Sequence, residues 1–382
     1  MDDFTFTVPQ DIVFGVGSLK KLPELLKKSE SKKVFIISDR GLEKLGVVEK
    51  VATIISEAGL SFASFLDIEP NPSVSTVNAA VKEYQESGAT SIVALGGGSP
   101  MDVAKAVGVV AKFGGEITAY EGANKVPGKI IPIIAIPTTA GTGSEVTAFA
   151  VITDTSRNYK LTVFSYELIP SYALLDPELI MTVPATIAAS CGVDALIHAW
   201  EAYTSTSATP FSDAMAEKAM ELIGGNIRRF VANRGDVEAA SAMMSGSMFA
   251  GIAFAWARLG NIHAMSHPVS AFFHVQHGVA NSILLPTIVE YNALADAGRY
   301  EKIYKFIRKE KSEVYDFIPN MLVEEAKELC AELGIPKCLS DVGVTEDKIP
   351  AMAADAMKSG NIQANPRQST IKDIEELYRK AL

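Results

Sequence analysis

Short apolar runs punctuate the first half of the chain. Lys33–Ser38, Ser61–Leu66, Ser91–Leu95 and Lys129–Ile136 are each brief and dense in Val, Ile, Phe, Leu or Ala. Runs of this length predict strands, and where they are continuously apolar, strands buried on both faces of a sheet. Between them, Leu45–Ala58, Ser75–Gly88 and Met101–Phe113 carry helical periodicity, and Lys20–Lys28 predicts a helix ahead of the first run. Strands alternating with helices predict a parallel sheet covered on both sides. Thr5–Val8 and Asp11–Phe14 flank Pro9 and predict an early hairpin, residues 148–165 a β excursion, and Ala173–Asp176 a last strand. Beyond Pro184 the pattern turns to Ala-, Met-, Leu- and Glu-rich helical periodicity that continues to Leu382. The expected organisation is an α/β domain over residues 1–182 and an all-helical domain over 183–382, without repeats or low-complexity tracts.

The chain's 382 residues, nearly half of them apolar, suffice for two domains with real cores. The formal charge of −10 argues against nucleic acid or an anionic membrane as partner. The start of the sequence lacks the basic and apolar regions of a secretory signal, and no uninterrupted apolar run approaches a membrane span. Cys191, Cys330 and Cys338 have no metal-binding spacing and read as reduced thiols of a cytoplasmic protein.

The histidines change the picture. All five, His198, His263, His267, His274 and His277, fall between Ser190 and His277. Asp194 precedes His198 by four residues, and His263 precedes His267 by four, which on a helix places each pair on one face. Three neutral imidazoles and a carboxylate would make a borderline-hard site suited to Zn²⁺ or Fe²⁺.

Two glycine-rich turns follow predicted strands. Gly96–Gly98 with Ser99 opens a helix with Pro100 near its start, and Pro137–Glu145 is a second loop of Thr and Gly. Small residues at a helix N-terminus let backbone N–H groups approach a pyrophosphate. The first turn is not the G-x-G-x-x-G fingerprint, and it is the pair of loops that points to a nucleotide crevice. Asp39, just after an early strand, is placed either to accept from an adenosine ribose, which would favour NAD over NADP, or to cap a helix.

Gly96–Asp102, Pro137–Glu145, Gly192–His198, the His263…His267…His277-Gly-Val-Ala-Asn281 block and Asn365-Pro-Arg together resemble the iron-containing, or group III, alcohol dehydrogenases across nearly the whole chain. The resemblance implies a Rossmann-like NAD-binding α/β domain, an all-α catalytic domain and a dehydroquinate synthase-like architecture with the active site in a cleft. It assigns metal ligation to Asp194, His198, His263 and His277, and places His267 beside the nicotinamide. Gly98, Ser99, Thr138, Thr139 and Thr142 would hold the phosphates. Asp39 and Asn71 would surround the adenosine half, and Lys160 would reach the nicotinamide ribose. The implied activity is NAD(H)- and metal-dependent alcohol dehydrogenase or aldehyde reductase, in a homodimer or an assembly of dimers, with His267 or a water–ribose relay moving the proton.

Gly251–His263 departs from the family pattern. Ala255 and Trp256 stand where Asn is usual, and Arg258 where a small residue is usual. A guanidinium five residues before a ligand would suit a carboxylate, sulfonate or phosphonate on the substrate. The expected substrate is therefore a short anionic aldehyde such as sulfoacetaldehyde, phosphonoacetaldehyde or a semialdehyde. The alternatives are a general short-chain alcohol or diol dehydrogenase, with Arg258 as structure, and an NAD- and metal-dependent lyase or cyclase on the same scaffold. His274 falls outside the ligand set.

Overall fold

The computed structural model describes residues 10–157, 159–310 and 316–382. The expected strand Thr5–Val8 lies outside the described residues. Among the described residues nine strands form: β1 Asp11–Phe14, β2 Lys33–Ile37, β3 Ser61–Phe65, β4 Ser91–Gly96, β5 Gly122–Ala123, β6 Ile133–Pro137, β7 Phe149–Asp154, β8 Tyr159–Phe164 and β9 Tyr172–Leu175. Six of them make one parallel sheet in the order β1-β9-β6-β4-β2-β3. β7 and β8 are the expected β excursion, and β5, which was not expected, joins them in a small second sheet.

Alternate residues of the apolar runs fill two cores. Phe35, Ile37, Ile92, Ala94, Ile133 and Ala135 face one side, against the helices Val74–Ser87 and Gly98–Phe113. Val34, Ile36, Val93, Leu95, Ile134 and Ile136 face the other, with Leu22, Leu26, Val51 and Ile55. Both sets are essentially inaccessible to water, which is why these strands read as unbroken apolar runs and not as alternating ones. From β2 the chain passes to β3 on one side and to β4 on the other. Such a reversal leaves a crevice at the carboxyl ends of the strands. Asp39 follows β2 there, and Gly97–Ser99 follow β4.

The described chain divides into two compact units, residues 10–139 with 144–180, and residues 140–143 with 181–382. Residues 140–143 were expected in the first domain. They join the helical unit because Gly143, at φ +62°, lies so close to the helix Val237–Ala257 that a Cβ would stand 2.7 Å from Gly251 Cα. Apart from that segment, the described elements of the second unit between Ala185 and Ala381 are all helices. The helix Val237–Ala257 is, contrary to expectation, long and apolar enough to cross a membrane by length and composition, but 61% of the qualifying window is buried inside the fold. A helix that is apolar all round is also what the centre of a helical bundle requires.

A buried polar cluster anchors the loop after β6. Lys105 is fully buried and donates to Ser144 Oγ and Thr147 O, both at 2.9 Å, and to Phe149 O at 2.7 Å. Asp102 accepts from Ser144 Oγ and from the Val151 N–H. Burial lowers the Lys105 ammonium to about 8 and raises the Glu145 carboxyl to about 7. A carboxyl raised on folding stabilises the fold fully below its unfolded value, near 4.5, and loses that contribution as pH rises through about 7. Glu145→Gln should therefore flatten the fall in stability between pH 5 and 7, as measured by urea unfolding across that range. An unchanged slope in the variant would mean that Glu145 titrates normally.

Candidate metal centre

Three helices bring the chemistry together. The helix Ala185–Thr204 carries Asp194, His198 and Glu201 at i, i+4 and i+7, all buried on one face. The helix Asn261–Phe273 carries His263 and His267 and ends at His274, which takes the left-handed conformation at φ 56°. The next helix begins at His277 and runs to Asn292, with Asn281 one turn further on. Gly278 lets that start press against the first helix, since a Cβ there would meet Ser190 O at 2.6 Å.

Asp194, His263 and His277 each turn one ligand atom to a common point, all within 4.8 Å of one another. His263 Nε2 stands 3.7 Å from Asp194 Oδ1, and His277 Nε2 stands 4.0 Å from the same oxygen. Ligand atoms about 2.1 Å from a tetrahedral ion stand roughly 3.4 Å apart, so these two separations are about 0.3 and 0.6 Å longer than an ion would require. His198 lies outside this converging trio. Its ring is stacked between those of Phe254 and His263, with centroids 4.5 Å away on each side.

The opposite nitrogen of each imidazole fixes the tautomer. His263 Nδ1 is 2.6 Å from Glu201 Oε2, so the Nδ1 proton goes to the carboxylate and Nε2 is the nitrogen turned to the cluster. His198 Nδ1 faces Gly141 O at 3.2 Å, which likewise leaves its Nε2 as a lone pair. Ser266 Oγ donates to His263 O and can accept from His277 Nδ1 at 3.5 Å. The donor set fits a divalent cation, because the atoms turned inward are acceptors.

The protein's own answer to those acceptors is the amide of Asn281, with Nδ2 2.6 Å from Asp194 Oδ1 and 3.1 Å from both His263 Nε2 and His277 Nε2. An amide has two protons to share among these three atoms. The shortage of positive charge appears in the titration. Burial opposes a proton on His263, but hydrogen bonds to Asp194 and Glu201 outweigh it and hold that ring at about 9. Burial works to raise Asp194, but His198, His263 and His277 keep it far below the ordinary carboxylate range. Burial lowers His198 to about 4.

Comparison with known proteins follows the same lines. Residues 9–177 match the family described as iron-containing alcohol dehydrogenase, and residues 188–382 match the C-terminal part of the Fe-containing alcohol dehydrogenase family. The chain belongs to the iron-containing alcohol dehydrogenases. It is 37% identical over 378 residues to an NAD-dependent methanol dehydrogenase of Bacillus methanolicus, covering 99% of each chain. The crystal structure of a 1,3-propanediol oxidoreductase superposes with a TM-score of 0.95 at 35% identity, covering all of both chains. That of the sulfoacetaldehyde reductase of Bifidobacterium kashiwanohense in complex with NAD⁺ gives 0.89 at 29%, covering 100% of this chain and 99% of that one.

The remaining residues singled out by family resemblance fall as follows. Gly98 and Ser99 open the helix Gly98–Phe113, whose N-cap is Gly97. Thr138 N–H donates to Gly96 O, and Thr139 lies against Gly97. Thr142 belongs to the segment counted with the helical unit. Asp39 caps a helix, accepting from the Leu42 N–H at 3.0 Å through Oδ1. Lys160 Nζ donates to Asn71 Oδ1 at 2.7 Å. His267 stands beside the trio, its ring 5.2 Å from that of His277. Arg258 ends the helix Val237–Ala257, four residues after Phe254, and is exposed. His274 is an exposed turn residue.

Glu201 and Asn281 were missed as site residues from the sequence. The signal available was spacing, Glu201 at i+7 from Asp194 and Asn281 at i+4 from His277. Glu201 also accepts from the Ile262 N–H at 2.7 Å, so one carboxylate fixes both the helix start and the imidazole. Glu201→Gln should lower metal affinity ten- to a hundredfold, read by chelator competition. Retention of wild-type affinity would show that the Nδ1 contact does not orient His263.

Proposed function

We propose that the chain catalyses hydride transfer between NAD(H) and a short alcohol or aldehyde, with one Fe²⁺ or Zn²⁺ held by Asp194, His263 and His277 and joined by His198. The observation that carries this reading is the convergence of three ligand atoms on one point, from buried Asp194 and His263 and half-buried His277. When bound, the metal supplies Lewis acidity to the carbonyl or alcohol oxygen, and the nicotinamide supplies or accepts the hydride. The residues do the rest. Glu201 holds His263 in its ligating tautomer. His267, partly buried beside His277, is placed to hold or pass a proton. Gly98, Ser99, Thr138, Thr139 and Thr142 serve the phosphates, and Asp39, Asn71 and Lys160 the ribose groups.

The substrate we propose is a short aldehyde with an anionic group recognised by Arg258. Its backbone sits at φ 64°, ψ −177°, a region essentially reserved for glycine. Holding arginine there costs about 1–3 kcal/mol, a cost that favours a role for the side chain. Among the described residues the guanidinium engages no carboxylate, and it lies toward Gly360. The backbone carrying it is tied to the centre on both sides, by Phe254 stacked on His198 and by Ile262 N–H on Glu201. The sulfoacetaldehyde reductase among the similar structures is compatible with this reading. The relatives named for methanol and 1,3-propanediol support the second reading, a dehydrogenase of neutral short alcohols or diols.

NADH oxidation by metal-loaded enzyme separates the two. Sulfoacetaldehyde and succinic semialdehyde should exceed propanal in kcat/KM by a hundredfold, about 2.7 kcal/mol. Arg258→Ala should erase that preference and leave propanal unchanged. Equal rates on neutral aldehydes in the wild type would establish the second reading.

A further inference from the structure

The carboxamide of Asn281 stands where a metal ion has to be received. It is fully buried, and its Nδ2 lies within hydrogen-bond reach of all three converging ligand atoms, at 2.6, 3.1 and 3.1 Å. Its Oδ1 is buried and has no hydrogen-bond partner. The alternative amide orientation would set that oxygen 2.6 Å from the Asp194 carboxylate oxygen, acceptor against acceptor. The observed orientation therefore satisfies the carboxylate and leaves the amide's own oxygen unsatisfied.

We propose that Asn281 is a placeholder for the metal: a neutral donor that holds Asp194, His263 and His277 together in the metal-free protein and gives up those contacts when the ion binds. The proposal rests on the metal-centre reading above and adds a residue outside the ligand set. Physically, a buried carboxylate facing two imidazole nitrogens at one point calls for positive charge among them. The amide protons supply that partly, at no net charge. Because Asn281 stabilises the metal-free state and competes with the ion, linkage requires that its removal destabilise the metal-free protein more than the loaded one. Metal should then bind the variant more tightly.

The test uses Asn281→Ala, with Asn281→Ser as a milder change should the first not fold. Each is stripped with a chelator, then reloaded with Zn²⁺. Calorimetric Tm is recorded in both states, and Zn²⁺ affinity is measured by competition with a chromophoric chelator. The placeholder role predicts a larger Zn²⁺-induced rise in Tm than in the wild type and a three- to tenfold gain in affinity. A variant that folds only with Zn²⁺ gives the same answer. Equal losses of Tm in the two states, with unchanged affinity, would make Asn281 a packing residue and overturn the proposal. A greater loss in the loaded state would also overturn it, because Asn281 would then support the bound metal. If the wild type itself takes up no Zn²⁺ or Fe²⁺, the metal-centre reading fails first, and the wild-type control reports that separately.

Discussion

A shortage of positive charge governs the centre of the helical unit. Asp194 Oδ1, His263 Nε2 and His277 Nε2 converge in a space that is closed to water for the first two residues, and they are answered by one amide with two protons. Buried acceptors without donors are costly, and buried charges more so. The surrounding sequence makes sense as the apparatus that enforces this convergence. Glycine at 278 lets two helices touch, Glu201 pins both a helix start and an imidazole, and Gly141 O takes a ring proton. A divalent cation answers all of these demands at once.

The α/β unit meets a different constraint with similar means. Its loop after β6 is rich in Thr and Gly and offers few apolar side chains to pack. The buried Lys105 holds the end of that loop through carbonyl and hydroxyl oxygens, with Asp102 and Glu145 as its countercharges. Groups of this kind are satisfied by the fold and titrate with it, which links the loop's integrity to pH.

Much of this was legible in the sequence because it is written in periodicity. The apolar runs located the parallel strands, and the i, i+4 pairs located two helices of the metal centre. What escaped was set by contacts between distant residues. Residues 140–143 pack with the helical unit because of a close approach to Gly251, which no local pattern records. Glu201 looks like any helical glutamate until His263, 62 residues on, is laid beside it. Asn281 appeared only as the end of a family block, with no chemistry attached. The hydropathy of Val237–Ala257 was underestimated because its apolar residues are interrupted by Ser and Gly, which in a packed helix make room for neighbours. Arg258 stood out by residue type, but its glycine-like backbone angles belong to the structure alone.

The claim on which the rest depends is that one divalent ion sits among these three side chains. Anomalous diffraction at the iron and zinc edges, on crystals of protein purified without chelator, tests it directly. The account predicts one peak per chain, about 2.0–2.2 Å from Asp194 Oδ1, His263 Nε2 and His277 Nε2. A metal-replete crystal with no peak there, or with its metal bound elsewhere, would contradict it.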